Sequence, residues 1–155
     1  MSKPVAILVD ADACPVKQEC YKVGERLSVP VIIVANSFIR TPDQSGIYTV
    51  RVGDEFDAAD DWIAENAHPK CVVITADILL AERCLEKGAQ VLSNKGTPFT
   101  ADSIGTQVAT RAIMADLRAG AVGENIGGPA PFTKADRSRF LQAIDSAVRR
   151  ALRAG

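Results

Sequence analysis

Aromatic residues are scarce, 5% of a 155-residue chain. A core must therefore be built mainly from Val, Ile, Leu and Ala, and the aromatic platform on which single-strand binders stack bases is not on offer. Histidine occurs once, as His68, and none of the four cysteines at 14, 20, 71 and 84 forms a C-x-x-C pair. That argues against zinc and for buried, reduced thiols. No apolar run approaches the roughly 20 residues that span a bilayer, so no membrane partner is expected. Neither sign of charge dominates: the net charge is −1 and the pI about 5.8, which excludes a wholesale nucleic-acid-binding polycation. With 47% hydrophobic residues the chain is also too apolar for intrinsic disorder. Its length fits one domain. Met1–Asp10 meets a charge before a signal-peptide core could form, so a cytoplasmic location is expected.

What is present is a series of short apolar runs. Val5–Val9, Val31–Ala35 and Cys71–Thr75 are rich in β-branched residues and do not alternate, the pattern of parallel strands buried on both faces. Pro30 is tolerable at the start of the second run. Gln90–Ser93 is a weaker fourth strand, and Ile47–Val52 alternates apolar and polar as an edge strand does. Helical stretches lie between and after them: Pro15–Leu27, Asp57–Ala67, Ile78–Lys87 stopping at Gly88, Asp102–Ala119 stopping at Gly120, and Thr133–Arg153. The last opens with Thr133 and Asp136 spaced as a capping pair and repeats Phe140, Ile144, Val148 and Leu152 on one stripe. Strands alternating with helices predict an α/β three-layer sandwich with a mainly parallel central sheet.

Charge is distributed unevenly. Residues 1–103 carry 10 basic and 15 acidic side chains, and residues 104–155 carry 8 and 4. The basic excess reads either as a phosphate-contacting face or, more plainly, as Arg137, Arg139, Arg149, Arg150 and Arg153 coating a terminal helix whose dipole suits them. Gly120–Pro131 (GAVGENIGGPAP) reads as a flexible loop; without a strand–loop–helix frame its glycines are a weak phosphate-cradle signal.

The carboxylates are more pointed. Asp10 and Asp12 end the first strand, Asp77 follows the Cys71–Thr75 strand, and Asp57, Asp60 and Asp61 open the helix after the edge strand. All of these rise from one edge of the sheet, the carboxyl edge where open α/β sheets bind ligands. Two like charges 4 Å apart repel by about 4 kcal/mol at an effective dielectric near 20. Such a set must take up protons or a cation. With only oxygen donors, the cation expected is Mg²⁺ or Mn²⁺, which supports phosphodiester hydrolysis. Plainer readings stand beside this one. Asp77 and Asp102 suit helix N-caps, and Asp57 suits the cap of its own helix with Asp60 and Asp61 favourable in the first turn. Asp10 resists such a reading, because it ends a wholly apolar strand.

Four segments, VDADACPVK (Val9–Lys17), FDAADDWI (Phe56–Ile63), VITADILLAERCLEKGAQVL (Val73–Leu92) and GGPAPFTKADRSRF (Gly127–Phe140), resemble the YaiI/YqxD family of small bacterial proteins, in the family's order and over nearly the whole chain. The resemblance implies a fold similar to PIN and NYN domains, a metal-dependent ribonuclease group. It implies a single PIN-like domain over residues 1–155, with 120–131 a flexible loop and 132–154 a C-terminal helix. It further implies that Asp10 anchors a divalent ion, that Asp60 and Asp77 complete its shell, and that Asp12 or Asp57 orients the attacking water. Lys17, Lys95 and Arg111 would contact phosphate. Asn36 and Ser37, at the end of the second buried strand, would hydrogen-bond the substrate, single-stranded RNA, as could Thr75. Two alternatives remain open at this point. Asp10-x-Asp12 is similar at one motif to haloacid-dehalogenase-like phosphatases, in which the first aspartate is a nucleophile and the second an acid/base. A PIN-like fold could also serve as a non-catalytic binding module. The oligomeric state is not written in the sequence.

Overall fold

The computed structural model describes residues 4–53, 55, 57–105 and 132–154. Its sheet has six strands: β1 Ala6–Asp10, β2 Val31–Ala35, β3 Ile47–Arg51, β4 Cys71–Ile74, β5 Gln90–Leu92 and β6 Pro98–Phe99. They lie in the order β3-β2-β1-β4-β5-β6. The first five are parallel, and β6 adds an antiparallel edge. Helices α1 (Lys17–Leu27), α2 (Ala58–Asn66), α3 (Ile78–Glu86) and the C-terminal helix α4 (Lys134–Arg153) cover both faces. The architecture is therefore the three-layer α/β sandwich expected from the alternation of runs.

Each strand supplies both layers because successive side chains point to opposite faces. On one face Ile7, Val9, Ile33, Val72 and Ile74 pack with Val23 of α1 and with Phe140, Ile144 and Val148 of α4. On the other, Leu8, Val34, Val73 and Val91 pack with Ile63 of α2 and Leu80 and Cys84 of α3. Burying each of these large side chains contributes roughly 1.5–3 kcal/mol. The chain steps outward from β1 through β2 to β3, then returns to the other side of β1 and steps outward again through β4 and β5. Crossovers of one hand that run in opposite directions leave their helices on opposite faces, and α1 lies on one face and α3 on the other. The switch in direction falls between β1 and β4.

Several boundaries shift. The first helix starts at Lys17, so Pro15 lies ahead of it rather than in its first turn, and a 3₁₀ turn, Ala11–Ala13, intervenes. Residues 101–105 are helical, and Thr100, not Asp102, caps them: the Thr100 hydroxyl accepts from the Ser103 amide at 3.1 Å and the Ser103 hydroxyl from the Thr100 amide at 3.0 Å. Asp102 sits two residues beyond the cap position and one short of its partner, so it takes no part in that exchange. The rest of the helix expected to Ala119, and the loop at 120–131, lie outside the described residues. Thr133 and Asp136 form the expected reciprocal cap of α4. The arginines of α4 are mostly committed to the protein itself: Arg137 to Glu19, Arg139 to Asp136, Arg149 to Asp145 and Arg150 to Gln90. The four cysteines are buried and unbridged.

Candidate active site

The carboxyl ends of β1 and β4 meet at the switch point, with Val9 opposite Ile74 in the ladder. A cleft of about 440 Å³ opens there, lined by Asp10, Asp12, Asn36, Glu55, Asp57, Asp60 and Asp77. Among the described residues, every charged residue lining it is acidic. They come from the end of β1, the turn after it, the approach to α2, α2 itself and the start of α3.

Asp10 is held from below. The Thr75 hydroxyl donates to Asp10 Oδ2 at 2.8 Å and accepts the Asp77 amide at 3.0 Å. Thr75 is 1% exposed, so it does not reach a substrate; it ties the ends of two neighbouring strands together. Burial pushes the Asp10 carboxyl above its ordinary range; the Thr75 bond opposes this, and the charges of Asp77 and Asp12 add to it. Asp77 caps α3, with Oδ1 accepting from the amides of Leu79 at 2.9 Å and Leu80 at 3.2 Å. Its capping role and its place in the cleft coexist.

Asp57 occupies the cap position of α2 in the left-handed region, φ 68°, yet its side chain makes no cap hydrogen bond. It borders the cleft instead. One turn on, Asp60 also borders the cleft, and its carboxyl is pushed up to about 6 by burial first and then by Asp77, Asp10 and Asp57. Asp61 leaves the group: it is exposed and pairs with Arg83 at 2.9 Å.

Asp12 serves as a clip. Its Oδ2 accepts the Asn36 amide at 3.0 Å and its Oδ1 the Ser37 hydroxyl at 3.1 Å, which fastens the turn after β1 to the end of β2. Asn36 also donates to the Gly53 carbonyl at 3.0 Å. The expected cationic contacts lie elsewhere. Lys17 folds back onto the carbonyls of Ala11 and Cys14, at 3.2 and 2.9 Å, and Lys95 stands 4.0 Å from Asp136. Neither lines the cleft. Arg111 lies outside the described residues. Glu55 was missed by sequence reasoning, although the rule that found Asp57, acidic residues following a strand end, reaches it two positions earlier.

The oxygen-only donor set and the upward push on Asp10 and Asp60 fit a hard divalent cation that would relieve the crowding. Among the described residues no group of three or more His, Cys, Asp or Glu side chains is arranged to hold a metal ion. Mg²⁺ does not ask for one: it usually retains several waters and takes one or two carboxylates plus substrate phosphate.

The Asp60 shift has a defined sign. The folded state holds its proton up to about pH 6, whereas the unfolded chain releases it near 3.8, so stability falls as pH rises through that window. Asp60→Asn is therefore expected to melt above the wild type at pH 7 in EDTA, with the gap closing by pH 4. Calorimetric scans across that range check it; a gap independent of pH would contradict it.

The sequence profile of the family described as "Uncharacterized BCR, YaiI/YqxD family" matches residues 8–150. A UPF0178 protein of Sphingopyxis alaskensis is 61% identical over 153 residues, 99% of this chain and 98% of its own. Another from Jannaschia sp. is 60% identical over 144 residues, 93% and 92% of the two chains. One from Brucella ovis is 55% identical over 152 residues, 97% and 93%. No solved structure matches the chain.

Proposed function

We propose that this chain, which belongs to the YaiI/YqxD family, is a PIN-like, Mg²⁺- or Mn²⁺-dependent nuclease that hydrolyses phosphodiester bonds in RNA. One observation carries the reading: six acidic side chains from separate parts of the chain share a single cleft at the switch point of a parallel sheet. A fold does not need that convergence. It crowds like charges and raises two of the carboxyls, a pattern that marks functional sites more often than structural ones.

Asp10, Asp60 and Asp77 are the residues that would hold the ion, one or two of them directly and the rest through its waters. When bound, the ion supplies a polarised phosphoryl oxygen and a more acidic water. Thr75 keeps Asp10 at the floor of the cleft. Asp57, on the cleft wall and without a cap bond, is placed to orient a water and take its proton. Asp12 keeps Asn36 at the rim. The acidic wall repels a phosphodiester from the cleft itself until the ion is in place, so metal binding should precede the seating of the scissile phosphate there, whereas contacts outside the cleft do not wait for the ion. A haloacid-dehalogenase-like phosphatase would need Asp12 as a proton carrier, whereas both of its oxygens are occupied by Asn36 and Ser37. No helix among the described residues is long and apolar enough to cross a membrane. Four buried thiols suit the reducing cytoplasm.

The test has two arms. Millimolar Mn²⁺ should raise the melting temperature of the wild type; a ligand at a hundred times its Kd stabilises by about 2.7 kcal/mol. The same preparation should cut a labelled single-stranded RNA, and stop when EDTA is added. No shift and no cutting would leave a binding module. A stoichiometric beryllofluoride adduct on Asp10 would favour the phosphatase.

A further inference from the structure

Just beyond the rim of the cleft, the loop after β2 carries the most exposed large hydrophobic side chain among the described residues, Phe38, at 79%. It does not stand alone. Phe38, Arg40 and Thr41 border a pocket of about 230 Å³ together with Ser37, Thr49 and Arg51. Arg51 ends β3 and pairs in register with Ala35, the last residue of β2, so the pocket sits on the same carboxyl edge as the cleft. The two are joined through consecutive residues: Asn36 lines the cleft and Ser37 lines the pocket. The loop is held against the edge strand by a Thr41–Thr49 hydroxyl contact at 3.3 Å, and at its start by the Asp12 clip.

Most arginines elsewhere among the described residues, Arg153 excepted, are committed to the protein itself. Arg26, Arg83, Arg137, Arg139 and Arg149 are each tied to a carboxylate. Arg40 and Arg51 are exposed and make no ion pair among the described residues. A bare aromatic ring that borders one pocket with two uncommitted guanidinium groups suits a ligand that is both flat and anionic. A nucleobase stacks on the ring whatever its identity, and the phosphates beside it meet the arginines. The complementarity also has a direction, because the cleft next to it is acidic and cannot hold the backbone by itself.

We propose that Phe38, Arg40 and Arg51 form a positioning strip for single-stranded nucleic acid, which stacks one base on Phe38 and feeds the adjoining phosphodiester into the carboxylate cleft. One ring is far short of the multi-aromatic platform that the composition excludes, so the strip positions a strand without demanding sequence. An unpaired strand is required, since a base locked in a duplex cannot present its face to Phe38. The strip rests on the reading of the cleft as a phosphodiester-processing site.

Binding of a fluorescein-labelled 12-nucleotide oligouridylate to the full-length protein in EDTA, read by anisotropy, tests it without cleavage. Phe38→Ala should weaken binding about tenfold, the scale of one lost base stack, and Phe38→Trp should restore it. Arg40→Gln and Arg51→Gln should each flatten the plot of log affinity against log salt by about 0.7. A duplex of equal length should bind at least about tenfold more weakly. Absent binding, equal affinity for the duplex, or indifference to Phe38→Ala overturns the proposal. So does a Phe38→Ala variant that turns a dimer into a monomer in light scattering while oligouridylate affinity holds, since the surface would then join two copies of the chain. The nuclease reading fails separately: an oligonucleotide held through Phe38 but never cut in Mn²⁺ keeps the strip and removes the nuclease, and cutting untouched by Phe38→Ala does the reverse.

Discussion

Asp10→Asn is expected to lower Mn²⁺-dependent RNA cleavage by more than about 100-fold while leaving the melting temperature of the metal-free protein unchanged or raised. The loss follows from position. Asp10 stands at the floor of the cleft, fixed by Thr75, with Asp77 and Asp12 close enough to push its carboxyl upward. The gain in stability follows from the same crowding, because a neutral amide of equal shape removes one of the mutually repelling charges. Opposite effects on activity and stability separate a functional carboxylate from a structural one. Thr75→Val extends the argument one shell outward. It leaves Asp10 without its 2.8 Å donor and the Asp77 amide without its acceptor. Activity should fall by roughly 10–100-fold, as when outer-shell supports of metal ligands are removed. Here stability should fall too, by about 1–3 kcal/mol, because two part-buried hydrogen bonds are lost. Cleavage rates and melting curves on the two variants check both statements. An Asp10→Asn protein that cuts RNA at the wild-type rate would remove the carboxylate cluster from the chemistry.

The sheet was legible because its strands are both-face-buried runs, and nothing but a central parallel sheet hides VIIVA and CVVI on both sides. Its edge was legible for the opposite reason, since IYTVR alternates. The antiparallel strand at Pro98–Phe99 was not, because two residues opening on a proline carry no period. The cleft was half legible. Placing Asp10, Asp57, Asp60 and Asp77 on one edge needed only the rule that loops after parallel strands share an edge. Asp12 and Asp61 sit at spacings as suggestive as the others, yet Asp12 lines the cleft while clipping the end of β2, and Asp61 turns away into a surface ion pair. That choice depends on which way a 3₁₀ turn and a helix face rotate, and the linear pattern does not specify it. Lys17 and Lys95 were selected by charge alone, and each found nearer acceptors. Phe38, Arg40 and Arg51 were invisible because two of them lie in a loop without periodicity and the third closes the edge strand. Only the register of β2 with β3 brings them together.

Gly96→Ala should cost about 2–4 kcal/mol, or roughly 5–15 °C in melting temperature for a chain of this size. The turn between β5 and β6 passes directly over the first turns of α4. Gly96 adopts φ +83°, and an added Cβ would sit 2.9 Å from both the Arg139 carbonyl oxygen and Phe140 Cα. Those atoms are helix backbone and cannot swing aside as a side chain would. Two terms therefore add: a left-handed conformation for a residue with a Cβ, and a clash that must lift the turn off the helix. Lifting it disturbs the neighbouring contact of Lys95 with Asp136, the residue that completes the α4 cap. It also disturbs Phe140, which is fully buried in the same core cluster as Ile7 and Val9 of the strand that carries Asp10. Gly53→Ala is the matched control: nothing lies within 4 Å of its would-be Cβ, so its melting temperature should stay within about a degree of the wild type. Since Gly96 lies away from the carboxylates, folded Gly96→Ala protein below its transition should still gain stability from Mn²⁺. A variant that melts early and has also lost the Mn²⁺ response would mean that α4 sets the geometry of the cleft through the core it shares with Ile7 and Val9 of β1.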